Sequence, residues 1–293
     1  MIDGLRQRVT DSVLTLFAHG PQPLVDTMDH PGDPGLLGPG SVSWEVIADP
    51  VVMLGGIRAL LIQTAHPEVV AGVEEHSRYR EDPLGRLTNT SLYVTETTYG
   101  AMPEVEQAVA FVRRAHGPVH GRSERGARYA ADDPALAAWV HNVLTESFLV
   151  AFQTYGPRKL STAEADRFVD EQTRIGTLLG ARPLPRRAGE LTRWVDEHPD
   201  LAPSQAQAAA VSFLRNPPLR RPQRAGYELL FQGAVATIPP RLREIIGVSP
   251  APGADATGAL MVRTLRWALG PSPVWRIALE RSGAEVPAGV FRR

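Results

Sequence analysis

Apolar residues recur along most of the chain at the three- and four-residue spacing of an amphipathic helix. The first stripe consists of Leu5, Val9, Val13 and Leu16, and similar stripes follow through the rest of the 293 residues. Few segments alternate between apolar and polar residues, which is the pattern of a half-buried strand. The sequence therefore predicts an all-α fold, with residues 1–293 forming a single helical domain.

Capping residues and prolines set the expected helix boundaries. Asp133-Pro134 and the capping box of Ser161 and Glu164 each begin a helix. Residues 20–43 are rich in Gly, Pro and Asp and predict a long loop, whereas the Thr-rich segment 87–99 leaves helix and strand open. Beyond the first stripe, we predict helices at 50–65, 67–76, 104–115, 134–155, 162–179, 187–197, 203–215, 222–235, 240–246, 256–269 and 273–281.

Composition excludes several kinds of chemistry. The chain has no cysteine, which rules out disulfides, Cys-ligated zinc, iron–sulfur clusters and a Cys nucleophile. Lys159 is the only lysine, so a catalytic lysine would have to be this residue. Lys and Arg number 31 against 32 Asp and Glu, a balance that argues against a partner such as nucleic acid. Any metal-binding or redox chemistry would therefore depend on histidines and carboxylates.

The sequence indicates neither a targeting signal nor an integral membrane span. The first residues lack a basic start followed by an apolar run. The longest apolar stretch, Val51–Ile62, contains Arg58 and is shorter than the roughly 20 residues that a span requires. We therefore expect a cytoplasmic protein.

Histidines concentrate in one part of the chain. Five of the eight lie between residues 66 and 141: His66, His76, His116, His120 and His141. His116 and His120 would share one face of a continuous helix, but Gly117-Pro118 predicts a break between them. The pair is therefore not interpreted as a His-x-x-x-His metal site.

Two features each allow a structural and a functional interpretation. His141 lies on an apolar helix face, where a histidine is either a hydrogen-bonded core residue or an axial ligand in an apolar slot, as haem requires. Arg86 and Thr90 are either a solvated helix start or a cation and a hydroxyl in a pocket that holds a carboxylate or an oxygen species. The residues alone leave both alternatives open.

A set of short motifs resembles one known family when the motifs are taken in order. The set comprises Trp44, Leu54-Gly-Gly-Ile-Arg58, His66-Pro67, Arg86-x-x-x-Thr90, His116-x-x-Val119-x-Gly121 and Trp139-Val-His141. Over about residues 40–245 the chain is similar to the family that unites fungal MpaB-type oxygenases with bacterial latex-clearing rubber oxygenases. Single motifs are unspecific, whereas their order and spacing are specific.

The resemblance implies a globin-like core and a haem b held by a proximal histidine. His116 matches the family's His-x-x-Val-x-Gly pattern, and His120 is the alternative because an ungapped count from Arg86 reaches it. Arg86 and Thr90 match residues beside the haem. Asn89 stands where the rubber oxygenase has a lysine able to bind the distal side of iron, so rubber cleavage is not expected.

The implied function is a haem b-dependent oxygenase, with dioxygen or peroxide as oxidant, acting on a small apolar substrate. His141 is then a pocket neighbour of the haem, and Arg86, Asn89 and Thr90 are the expected catalytic residues. One alternative is a helical protein that binds haem or an apolar ligand without turnover. Another is a relative that has lost the cofactor. The sequence leaves the oligomeric state open.

Overall fold

The computed structural model describes residues 2–17 and 22–288. Within these residues the chain forms fourteen α-helices, one short 3-10 helix at Thr27–Asp29 and one two-stranded hairpin. The all-α prediction is confirmed. The helices are α1 (Ile2–Phe17), α2 (Val42–Ala48), α3 (Val52–Gln63), α4 (Pro67–His76), α5 (Pro83–Tyr99), α6 (Met102–His116), α7 (Pro134–Tyr155), α8 (Thr162–Leu178), α9 (Ala188–Asp196), α10 (Gln205–Arg215), α11 (Arg221–Ala236), α12 (Pro240–Ile246), α13 (Ala254–Leu269) and α14 (Pro273–Ser282).

The predicted caps form as the sequence indicates. The Asp133 carboxylate accepts from the amides of Ala135 and Leu136 at 2.8 and 3.3 Å, which satisfies two donors at the start of α7. Ser161 and Glu164 form a capping box at the start of α8. These side chains fix where the two helices begin.

The structure differs from the sequence prediction in two places and decides one segment that the sequence left open. Helix α2 follows the long loop and was not predicted, and neither was the antiparallel hairpin of β1 (His120–Arg122) and β2 (Arg128–Ala130). The Thr-rich segment is helical. Its Thr90 and Thr97 hydroxyls donate to carbonyls one turn earlier, so the helix satisfies these two side chains.

Helices α3 and α7 pack against each other at the centre of the molecule, and α11 packs on α3. Gly55 lets α3 and α7 approach closely, because a Cβ there would lie only 2.9 Å from Phe148 Cδ1 and 3.2 Å from the Ser147 carbonyl oxygen. Large buried side chains, including Trp44, Trp139 and Phe231, fill the space around this pair.

A buried ion pair crosses the contact between α3 and α7. The Arg58 guanidinium binds the Glu146 carboxylate through both terminal nitrogens and donates to Ser147 Oγ at 2.8 Å, and its Nη2 lies 3.5 Å from the Thr237 carbonyl. Both charged side chains are almost fully buried, with 1% and 2% exposed. A slip of either helix would leave two charges unpaired in the core.

Among the described residues, α7 is the one helix long and apolar enough to cross a membrane by length and composition. Of its most apolar window, 67% is buried inside the protein, as in the core helix of a folded domain. This burial is a sufficient reason for its apolar character.

We predict that Arg58→Met lowers the free energy of unfolding by about 3–5 kcal/mol, because it leaves Glu146 buried and unpaired. The double variant Arg58→Met/Glu146→Leu should lose less than the sum of the single variants. Urea unfolding monitored by circular dichroism measures both. The exposed pair of Arg276 and Glu280 is the matched control, since breaking it should cost less than about 1 kcal/mol. A comparably small loss in Arg58→Met would contradict the prediction.

Candidate functional site

Helices α5 to α8 bring together most of the residues for which the sequence predicts chemistry. Helix α5 packs on α6, and α7 packs on α8. Arg113 near the end of α6 donates to the Leu178 carbonyl at the end of α8 at 2.6 Å, which joins the two helix pairs. A small apolar cluster of Val105, Ile175, Tyr93 and Leu178 lies between α5, α6 and α8.

Arg86 lies in the first turns of α5. Its side chain is accessible to solvent, yet the surrounding protein desolvates it and lowers its pKa. Thr90, one turn later, donates to the Arg86 carbonyl at 3.0 Å and lies 3.5 Å from the guanidinium.

His116 is the last residue of α6 and is half-buried. Burial lowers its pKa, the positive charge of Arg86 lowers it further, and the negative charge of Asp132 opposes both. Arg86 and His116 are therefore close enough for one charge to act on the other. A lowered pKa keeps the imidazole neutral at pH 7, with a lone pair available to a metal ion.

His141 lies between α7 and α8. Burial lowers its pKa to about 4, and a hydrogen bond to the Gln172 carbonyl partly opposes this effect. The two helices touch here, because a Cβ on Gly176 would lie 2.8 Å from His141 Cδ2. This geometry is that of a hydrogen-bonded core histidine whose ring is neutral.

His120 and Asn89 have different surroundings. His120 is exposed on β1 and lines an open cleft of about 560 Å³ with Arg122, Arg128 and Asp133. Asn89 is exposed on α5, three residues after Arg86. The structure thus brings Arg86 and His116 together and places His120 in a cleft of the hairpin.

Tyr93 and Asp132 belong to this region and were not singled out from the sequence. Burial raises the pKa of Tyr93, and its hydroxyl has no hydrogen-bond partner within the described part of the chain. Tyr93 follows Arg86 by seven residues, which is two helical turns, so the spacing alone could have placed it on the same face. Asp132 has no comparable signal, because the turn after the hairpin brings it near His116.

Comparison with known families identifies the chain. The family described as ER-bound oxygenase mpaB/B'/Rubber oxygenase, catalytic domain, matches residues 44–267. The chain belongs to this family. The match begins in α2 and ends in α13, so the mpaB/rubber oxygenase domain contains all of α5 to α8. The resemblance inferred from the ordered motifs is confirmed, and the protein belongs among oxygenases in general.

No curated protein and no solved structure matches the chain itself.

We predict that His141 makes the protein less stable in mild acid. Its pKa is lowered from 6.5 to about 4 in the folded state, so between these values the unfolded chain binds more protons and stability falls as pH drops. From pH 7 to pH 5 the loss attributable to His141 should be about 1–2 kcal/mol. Urea unfolding at both pH values should show a smaller loss in His141→Gln than in the wild type. An equal loss in both proteins would show that His141 does not carry the effect.

Proposed function

We propose that this protein is a haem b-dependent oxygenase that acts on an apolar organic substrate, with His116 as the proximal ligand. The observation that supports this most is the juxtaposition of half-buried His116, at the end of α6, with Arg86 of the adjacent α5, whose charge acts on the imidazole. Both residues lie within the part of the chain that matches an oxygenase family.

The residues present fit a haem. A haem requires an imidazole with a free lone pair, apolar walls and a cation for its propionates. His116 has the first property, and the apolar cluster of Val105, Ile175 and Leu178 lies between the helices that carry Arg86 and His116 and helix α8. Arg86 is the cation. The buried Tyr93 hydroxyl, which has no partner among the described residues, is an additional polar atom that a bound group would satisfy.

When bound, haem would supply the redox chemistry of dioxygen. The other roles in the proposed reaction belong to the protein's own residues. The charge of Asp132 favours a proton on the second ring nitrogen of His116, which is how carboxylates orient metal-binding histidines. Arg86 binds a carboxylate or orients an oxygen species, and Thr90 holds the start of α5 in place beside it. The apolar cluster excludes water.

Asn89 distinguishes this protein from the rubber oxygenases. A neutral amide stands where those enzymes have a lysine able to bind the distal side of iron, and the chain's only lysine, Lys159, lies far along the sequence from it. An exposed amide leaves the distal side to solvent or substrate. We therefore propose a smaller apolar substrate than rubber.

We predict that the purified protein shows a Soret band and that His116→Ala loses it. The matched control is His120→Ala, which removes a nearby exposed histidine and should keep the band. Absorption spectra after haem supplementation measure both. Loss of the band in His120→Ala but not in His116→Ala would assign the ligand to His120. An unchanged spectrum in both variants would overturn the ligand assignment. Absence of any Soret band in the wild type would overturn the proposed cofactor.

We also predict that Arg86→Ala weakens haem binding by about 10- to 100-fold, because one charge-assisted hydrogen bond is lost. Arg86→Lys keeps the charge and should lose less. Haem titration measures the affinity. Oxygen uptake with apolar substrates then separates an oxygenase from a protein that binds haem without turnover. Haem affinity unchanged in Arg86→Ala would contradict the role given to this residue.

A further inference from the structure

A second group of metal-ligating side chains does not include His116. His66, His198 and Asp200 each offer one ligand atom, and these atoms all lie within 4.8 Å of one another. His66 is buried, His198 is half-buried and Asp200 is exposed. The three residues come from the junction of α3 and α4 and from the loop after α9, so only the folded chain brings them together.

Helix α7 separates this group from His141. Trp139 and His141 are two residues apart on α7 and therefore point in nearly opposite directions. The Trp139 ring lies 5.8 Å from the His66 ring and 4.9 Å from the His198 ring, measured between centroids. Trp194 lies 4.8 Å from His198 and completes an aromatic wall. The group therefore lies on the opposite side of α7 from His141 and shares no residue with the proposed haem site.

The backbone that carries His198 and Asp200 is held from three sides. The Ala202 amide donates to the Ala65 carbonyl, next to His66, at 3.1 Å. Arg125 from the hairpin donates to the Asp200 carbonyl at 3.2 Å, and Arg241 from α12 donates to the His198 carbonyl at 3.3 Å. The loop is thus positioned before any ligand binds, which lowers the entropic cost of binding.

The His66 ring has an unsatisfied polar atom. Nδ1 is buried and has no hydrogen-bond partner among the described residues, although Glu68 Oε2 lies 3.3 Å away. Leaving such an atom unpaired is unfavourable. A metal ion at Nε2 would fix the ring proton on Nδ1, beside Glu68. Carboxylates behind metal-binding histidines commonly occupy this position.

The chemistry of the three ligand atoms indicates the class of ion that they would bind. Two neutral imidazoles and one carboxylate are ligands for zinc-like ions, since Mg²⁺ and Ca²⁺ prefer oxygen alone.

We propose that His66, His198 and Asp200 bind a divalent transition-metal ion of the zinc class. In a tetrahedral site with bonds of about 2.1 Å, ligand atoms lie about 3.4 Å apart. The group must therefore contract by at most about 1.4 Å, and rotation of the exposed Asp200 side chain supplies much of this movement. The ion joins the α3–α4 junction to the loop after α9 and leaves one coordination position open on the solvent side.

Calorimetric titration of zinc chloride into the full-length chain, first dialysed against a chelator, tests the proposal. The wild type should bind one ion with micromolar or tighter affinity. His198→Ala and Asp200→Asn should each weaken binding at least tenfold. Both changes are at residues that are not fully buried, so the fold should be retained, and circular dichroism checks this. His30→Ala removes a half-buried histidine outside the group and should leave the affinity unchanged.

Two results would overturn the metal site: no saturable zinc binding by the wild type, or equal affinity in the wild type, His198→Ala and Asp200→Asn. His66 and His198 would then be packing residues of the aromatic wall. The test of the metal site and the test of the haem site have independent outcomes. His116→Ala should lose the Soret band and keep zinc binding, whereas His198→Ala should do the opposite.

Discussion

The ion pair of Arg58 and Glu146 is the interaction on which the rest of the fold depends. Two charges can remain in an apolar core only where each meets its partner and its remaining hydrogen-bonding atoms are largely satisfied. Here that requirement fixes the register of α3 against α7, and the contact of Arg58 with the Thr237 carbonyl relates both to the end of α11. The apolar packing around the pair is less directional, so it adds stability without specifying one alignment.

Fixing α3 against α7 also fixes both candidate sites. His66 follows the end of α3, and α7 presents Trp139 on one face and His141 on the other. The proposed metal site therefore lies against one face of α7 and His141 lies on the other. A change that disturbs α7 should alter both sites, whereas a change in α5 or in the loop after α9 should alter only one of them.

Much of the fold could be predicted from the sequence because local signals dominate it. Caps such as Asp133 and Ser161 act within a single turn, and the helical spacing of apolar residues is regular. Helix α2 and the hairpin were missed because each is short and is stabilised by contacts from elsewhere. The Glu171 carboxylate, for example, accepts from the first amides of α2 at Val42 and Ser43. In the candidate site, motif spacing pointed to Arg86 and His116, but the influence of Asp132 and the grouping of His66 with His198 arise only from tertiary contacts.

The uneven burial of α5 has a consequence for access to Arg86. Its last three residues are buried, whereas in its first two turns only Thr88 is. Local opening is easiest where few side chains are buried. The first turns of α5, which carry Arg86, should therefore open more readily than the end near Tyr99, so a ligand of Arg86 would meet the least constrained part of the helix.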